Sequence, residues 1–257
     1  MQLGSLKLKH CLYGWMLYSG PFIGKCFDLY GEYSESEVSM MRALLQPGDA
    51  VIDVGANIGD LTLPLSRAVG DSGRVYAIES HADSFNVLCA NLALNGIRNT
   101  KPINAFVATS EQTDTASTVW GKHAFVSEAW GAPFLAIDEV GLSKCKLIKV
   151  DVDGKELDVL KSGETLIQRC RPLLYIENDV RDASADLISF VQLGLGYDLY
   201  WHPAPIFRPD NFFGNPVNHW APRSIISQMM LALPSELDAK VDGLRHVEGP
   251  TDWWDGT

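Results

Sequence analysis

Val51-Ile52-Asp53-Val54 runs directly into Gly55-Ala56-Asn57-Ile58-Gly59-Asp60. An apolar, β-branched run of this kind is the composition of a parallel strand buried on both faces. A small-residue turn follows, and then a helical apolar spacing over 60–69. Strand, turn and helix together open an α/β sheet. In such sheets ligands sit at the carboxyl ends of the strands, where the first strand feeds its helix. Gly55 and Gly59 lack a Cβ, so the backbone there can turn sharply and lie against a ligand. Asp53 is a charge at the end of an apolar strand, and burying it costs several kcal/mol unless it is paired. It either braces the turn or binds an amino group.

The rest of the chain alternates strand and helix signals, as a parallel sheet requires. Strands are expected at 74–79, 101–107, 146–152, 173–177, 197–202 and 224–233, and helices at 60–69, 82–95 and 186–195. Residues 1–48 read as an N-terminal cap, a strand or hairpin followed by a helix over 34–45. Residues 49–234 form the main domain, and 235–257 a polar C-terminal tail. In 108–136 a short β excursion is expected. Asp153 and Glu156 have the spacing of a capping box before the helix that follows.

The motif spacing separates nucleotide classes. A dinucleotide fingerprint needs G-x-G-x-x-G, and no glycine stands three residues after Gly59. The formal net charge of −11 leaves no basic surplus for nucleic-acid phosphates. No apolar run reaches the roughly 18 residues of a membrane span. The five cysteines are dispersed, with no C-x-x-C pair, which fits a reducing compartment. The apolar stretch 11–23 imitates a signal peptide but is interrupted by Gly14, Ser19, Gly20 and Pro21. The expectation is a cytoplasmic protein that binds neither membrane nor nucleic acid.

Several acids fall at strand ends. Glu79 closes the second strand, twenty residues beyond Gly59. An acid there can accept hydrogen bonds from both hydroxyls of a ribose, or cap the helix that follows; the upstream motif favours ribose. Asp151 and Glu177 close the fourth and fifth strands, so parallel topology brings them to one edge. Two carboxylates there could deprotonate a substrate hydroxyl, or join Asn178 in a hard-cation set. The other reading pairs Glu177 with an arginine such as Arg181. His202 follows the next strand. Its pKa range suits a general base, although a lone histidine among aromatics is more often structural.

These stretches together resemble the FkbM family of class I S-adenosylmethionine (SAM) methyltransferases. Asp53–Gly59 matches the family's D-V-G-A-N-I-G. Lys149–Glu156 stands for its K-I-D-V-E-G-x-E, with Asp153 as a conservative departure. Glu79-Ser80 stands where the family has an acidic residue and proline. The similarity extends from about residue 12 to 234 and includes Tyr30–Glu35, Tyr200–His202 and Asp210–Phe212. The resemblance implies an α/β, Rossmann-like class I methyltransferase fold: a seven-stranded, mostly parallel sheet with helices on both faces.

It also implies SAM as methyl donor. Gly55, Gly59 and Asn57 would hold its methionine end, and Glu79 its ribose. Phe85, or the segment Asn104-Ala105-Phe106, would flank adenine; Asp53, Ala56 and Ser80 complete the cofactor set. Catalysis would fall to Asp151, with Glu177 and His202 as alternative bases. A divalent metal is an option that the resemblance does not call for. Expected partners are a small-molecule or glycan hydroxyl acceptor, on a sugar or secondary metabolite, with a homodimer as one assembly. Two other classes stay open: an NAD-dependent Rossmann-like oxidoreductase, and a non-catalytic SAM-binding module. The missing dinucleotide fingerprint argues against the first, the intact strand-end acids against the second.

Overall fold

The computed structural model describes residues 6–109, 132–222 and 225–255. The chain opens with a hairpin, β1 (Lys7–Cys11) and β2 (Gly14–Tyr18), then α1 (Ile23–Tyr30) and α2 (Glu35–Ala43). The sheet begins with β3 (Ala50–Val54), α3 (Thr62–Val69), β4 (Arg74–Glu79), α4 (Ala82–Leu94) and β5 (Thr100–Asn104). A small parallel pair follows, β6 (Phe106–Val107) with β7 (Phe134–Leu135). Then come β8 (Leu147–Val150), α5 (Glu156–Lys161), α6 (Glu164–Cys170), β9 (Leu173–Glu177) and α7 (Arg181–Ser189). The chain ends with β10 (Tyr197–Pro205), β11 (Ile226–Pro234) and β12 (Arg245–His246).

The main sheet runs β12-β10-β11-β9-β8-β3-β4-β5. Seven strands form the expected, mostly parallel sheet, in which β11 runs antiparallel to both β9 and β10. The two-residue β12 adds an eighth strand at the edge, drawn from the polar C-terminal stretch. That stretch also buries Val247 and sets Trp253 edge-on against the fully buried Trp201.

The all-apolar look of the central strands has its expected cause. β3, β8 and β9 are covered on both faces, by α5, α6 and α7 on one side and α2 and α3 on the other. Burying side chains such as Ile52, Ile148 and Leu174 is worth about 1.5–3 kcal/mol each. Pro64 is accommodated in the first turn of α3, where no helical amide bond is lost.

Element boundaries moved where local chemistry competes with periodicity. The helix expected over 186–195 begins five residues earlier, at Arg181, and ends in a π-type turn over Phe190–Gly194. The Asp153–Glu156 capping box does not form. Asp153 takes a left-handed φ of 53°, and α5 starts at Glu156. The Glu156 carboxylate instead accepts the amides of Val152 (3.1 Å) and Gly154 (3.0 Å), bracing the loop before the helix. Helix α1 had no distinct sequence signal. Most of the 108–136 excursion, residues 110–131, lies outside the described residues.

The cap is pinned down by amides and one ion pair. Asn91 of α4 and Asn95, which caps its C-terminus, each bond both the N–H and the C=O of a β2 residue, Leu17 and Trp15 respectively. Buried Glu32 takes a two-pronged contact from Arg208 and the amide of Phe212. The segment between β10 and β11 is thereby tied to the cap, over the carboxyl end of the sheet.

Candidate functional site

The turn after β3 is anchored to both neighbouring strands. The amides of Gly55 and Ala56 both donate to the Ile78 carbonyl at 3.0 Å. Gly55 has φ +77°, and a Cβ on it would lie 1.9 Å from the Asp151 carbonyl oxygen. Only glycine allows the turn to approach β8 this closely. Asn57 adopts the left-handed conformation, which asparagine tolerates. Its amide donates to Glu79 at 2.8 Å, and the amide of His81 donates to the other oxygen at 2.7 Å. Each Glu79 oxygen keeps a further lone pair toward the cleft. Burial pushes its pKa up, opposed by those two amides.

Beneath the turn lies Lys149, 1% exposed. Its ammonium donates to the carbonyls of Gly55 (2.9 Å) and Val54 (3.3 Å). It also stands 3.5 Å from both Asp53 and Asp151. Register explains the arrangement: Asp53, Lys149 and Tyr175 are successive partners across β3, β8 and β9, and so share one face. Asp53 accepts the Thr62 hydroxyl at 2.6 Å, which ties the end of β3 to the start of α3. Burial alone would push the Lys149 ammonium down, but Asp151, Asp53, Asp60 and Glu37 hold it well above the usual lysine value.

The carboxylates around Lys149 outnumber it. Burial pushes Glu37 of α2 up to about 7, and Asp60 up to about 7. Glu177 is held far above the usual carboxylate range by burial and by the adjacent Asp151. Buried oxygens of Asp53, Asp60, Glu37 and Glu177 accept no hydrogen bond among the described residues. Uncompensated buried carboxylates are costly. An edge so built suits a ligand that brings positive charge and N–H donors. Asp151 differs from the rest, its side chain being 35% exposed.

The cleft beside this edge encloses about 780 Å³, its open mouth included, and Gly55, Glu79, Ser80, Ala105 and Asp151 line it together with Phe106. Asn104 supports it from behind, donating to the carbonyls of Glu79 (2.8 Å) and Ser80 (3.1 Å). The remaining expected residues lie elsewhere. Phe85 packs in the cluster of α4 with Ala56 and Ile58, so of the two adenine-flanking options the Asn104–Phe106 segment borders the cleft. A Cβ on Gly59 would lie 2.9 Å from the Leu88 side chain and 3.2 Å from that of Leu63, so glycine lets the turn lie close to α3 and α4. Asn178 points to the opposite face, where its amide contacts Ser184 and Met230, so it does not join Asp151 and Glu177. Arg181 starts α7 and its guanidinium lies over the Trp253 ring, and among the described residues it forms no ion pair with Glu177. His202 is 7% exposed, with Tyr175 at 2.6 Å on one ring nitrogen and Ser36 at 3.2 Å on the other. Burial lowers its pKa. Those contacts make it a buried bridge from β10 to α2, and they leave neither nitrogen open to a substrate.

Lys149 and Glu37 had not been assigned roles from the sequence. The signal was present for Lys149: a lysine inside a strand buried at every position must find charged partners. Glu37 reads equally well as an ordinary first-turn acid.

The sequence profile described as Methyltransferase FkbM domain matches residues 53–199, more than half of the chain. The chain belongs to the FkbM methyltransferase family. Its methyl donor is SAM, and the cleft, Glu79 and the acidic edge fit that cation-bearing nucleoside. Among solved structures, a precorrin-6y C5,15-methyltransferase from Geobacter metallireducens has a TM-score of 0.51 at 14% identity. That alignment covers 83% of this chain and 100% of the other, and it shows the shared fold.

Two curated relatives match shorter stretches. The 23S rRNA (uracil(1939)-C(5))-methyltransferase RlmD of Acinetobacter baylyi is 31% identical over 81 residues, 32% of this chain and 17% of the relative. A probable cobalt-precorrin-6B C(15)-methyltransferase (decarboxylating) of Saccharolobus solfataricus is 32% identical over 62 residues, 24% of this chain and 31% of the relative. The chain thus spans less than a third of the length of either relative. Among the described residues no helix is long and apolar enough to cross a membrane.

The buried acids give the cofactor-free protein a definite pH response. Glu37, Asp60 and Glu156, each raised to about 7 by burial, bind protons more tightly folded than unfolded. The stability they contribute is full below their unfolded pKa near 4 and is lost as pH rises through 7. His81 and His202, lowered by burial, oppose this as pH falls through about 6.5. The three carboxyls outweigh the two imidazoles. The melting temperature should fall by about 5 °C between about pH 5.5 and pH 8. A rise over that range in calorimetry would contradict the assignment of these groups.

Proposed function

We propose that this FkbM-family protein is an O-methyltransferase acting on a hydroxyl of a small molecule or glycan. One observation carries the reading: half-exposed Asp151 borders the cleft, ion-paired to Lys149 and set against half-buried Glu177. A bound SAM supplies an electrophilic methyl on a sulfonium. An amine that has already lost its ammonium proton attacks through a free lone pair and needs no base in the transfer step itself. An aliphatic hydroxyl is a poor nucleophile unless its proton leaves as the new bond forms. Asp151 can take that proton while the acceptor oxygen gains the methyl and the sulfur keeps the bonding pair. Glu177, the member that retains a proton, then holds Asp151 in place by hydrogen bonding. The acidic edge also disfavours phosphate-bearing acceptors, nucleic acid included.

The test is incubation with SAM carrying a 13C-labelled methyl and a small-molecule and glycan fraction of cell extract, with the product read by NMR. The label should appear as a methyl ether. A labelled methylamine or a C-methyl product would overturn the O-methyl reading.

Cofactor contact is tested separately. SAM and S-adenosylhomocysteine should raise the melting temperature by mass action, whereas NAD should leave it unchanged. In Glu79→Ala the SAM dissociation constant should rise at least tenfold, since charge-assisted hydrogen bonds are worth about 1.5–3 kcal/mol each. An unchanged constant would remove Glu79 from the ribose role.

A further inference from the structure

We propose that Lys149 is a positioning residue that couples the cofactor turn to the catalytic edge, one buried ammonium holding the Val54 and Gly55 carbonyls and the Asp151 carboxylate together. The contacts are 3.3, 2.9 and 3.5 Å. Asp53 is the second carboxylate partner of this ammonium, also at 3.5 Å. The groups facing it come from every surrounding element. Asp53 comes from β3 and Asp60 from the turn, Glu37 from α2, and Asp151 from the end of β8. Asp151 in turn faces Glu177 of β9, Asp153, Asp179, Glu156 and Tyr33.

Such crowding favours protonation of any carboxyl in the set. Lys149 stands 3.5 Å from the Asp151 carboxylate and holds the Val54 and Gly55 carbonyls, so the catalytic edge and the seated turn depend on the same charge. Lys149 needs no contact with acceptor or methyl to act this way. The proposal leans on the O-methyl reading only for its catalytic consequence, because the coupling itself is measurable without an acceptor.

The experiment compares wild type with Lys149→Met, which keeps the length and apolar stem, and with Lys149→Met combined with Asp53→Asn. The double variant also removes one of the two carboxylates, Asp53 and Asp151, that the single one strands, which lowers the cost of the change. Two quantities are read. One is the titration of the Asp151 carboxyl carbon in 13C-aspartate-labelled protein, assigned by its loss in Asp151→Asn. The other is the SAM dissociation constant from calorimetry.

An opposite charge at this range shifts a carboxyl by about 1–3 pH units. The Asp151 midpoint should therefore rise by about one unit or more in both variants, and SAM binding should weaken at least tenfold. A purely structural lysine would lower the melting temperature in the single variant and leave the Asp151 midpoint in place. That outcome, or normal SAM affinity in the double variant, overturns the proposal. An N-methyl or C-methyl product in the labelling experiment would remove the O-methyl reading while leaving this titration shift intact.

Discussion

Gly55→Ala should raise the SAM dissociation constant by at least about 10²-fold, the larger part coming from a displaced turn rather than from backbone strain. A left-handed φ costs a non-glycine residue about 1 kcal/mol, and Gly55 has φ +77°. The methyl would in addition lie 1.9 Å from the Asp151 carbonyl oxygen, a backbone atom of the neighbouring strand. That oxygen belongs to β8's continuation, whose amide is already committed to Val54. The turn must therefore lift, breaking the 2.9 Å contact between Lys149 and the Gly55 carbonyl.

Gly96→Ala is the matched control. It has φ +63°, with nothing within 4 Å of the added methyl. It should cost about 1 kcal/mol of stability and leave SAM affinity as it was. If Gly55→Ala bound SAM like the wild type in calorimetry, close approach of turn and strand would not be what the glycine is for.

The fold and the turn were legible because both rest on signals local in sequence. An all-apolar run, a small-residue turn and a periodic helix announce a buried parallel strand wherever they occur. Strand-end acids follow from topology: once β3, β4, β8 and β9 are parallel, Glu79, Asp151 and Glu177 must share an edge. Side-chain direction was harder. Neighbouring strand residues point to opposite faces, which puts Asn178 with Ser184 and Met230 instead of with Glu177. His202 sits at the level of Glu177 through Met229, yet β10 continues to Pro205 and buries its ring between Tyr175 and Ser36.

Contacts between distant segments left the weakest trace in the sequence. The clamps from Asn91 and Asn95 onto β2 join residues more than seventy positions apart. The same holds for Glu37 reaching the edge from α2. Nothing in its own stretch distinguishes a buried site acid from a solvated first-turn one.

Asp151→Asn should lower turnover of a hydroxyl acceptor by about 10²-fold or more, the usual contribution of a positioned general base, and the fold should survive it. The shapes match, and the side chain is 35% exposed, so no core packing is lost. The amide cannot take a proton from the acceptor, and it no longer offsets the Lys149 charge. The loss should fall mainly on kcat, because a base acts as the acceptor's proton leaves and contributes little to ground-state binding.

Glu177→Gln should cost less. Glu177 is half-buried behind Asp151, and burial and that neighbour hold its carboxyl far above the usual range, so a neutral amide preserves much of its role. His202→Ala should act through packing alone and move stability more than kcat. The three variants are ordered by this structure, Asp151 first. If Asp151→Asn turned over normally while SAM affinity fell, Asp151 would be a ligand for the cofactor's cationic groups. If Glu177→Gln were instead the inactive variant, the proton would have to leave through Glu177.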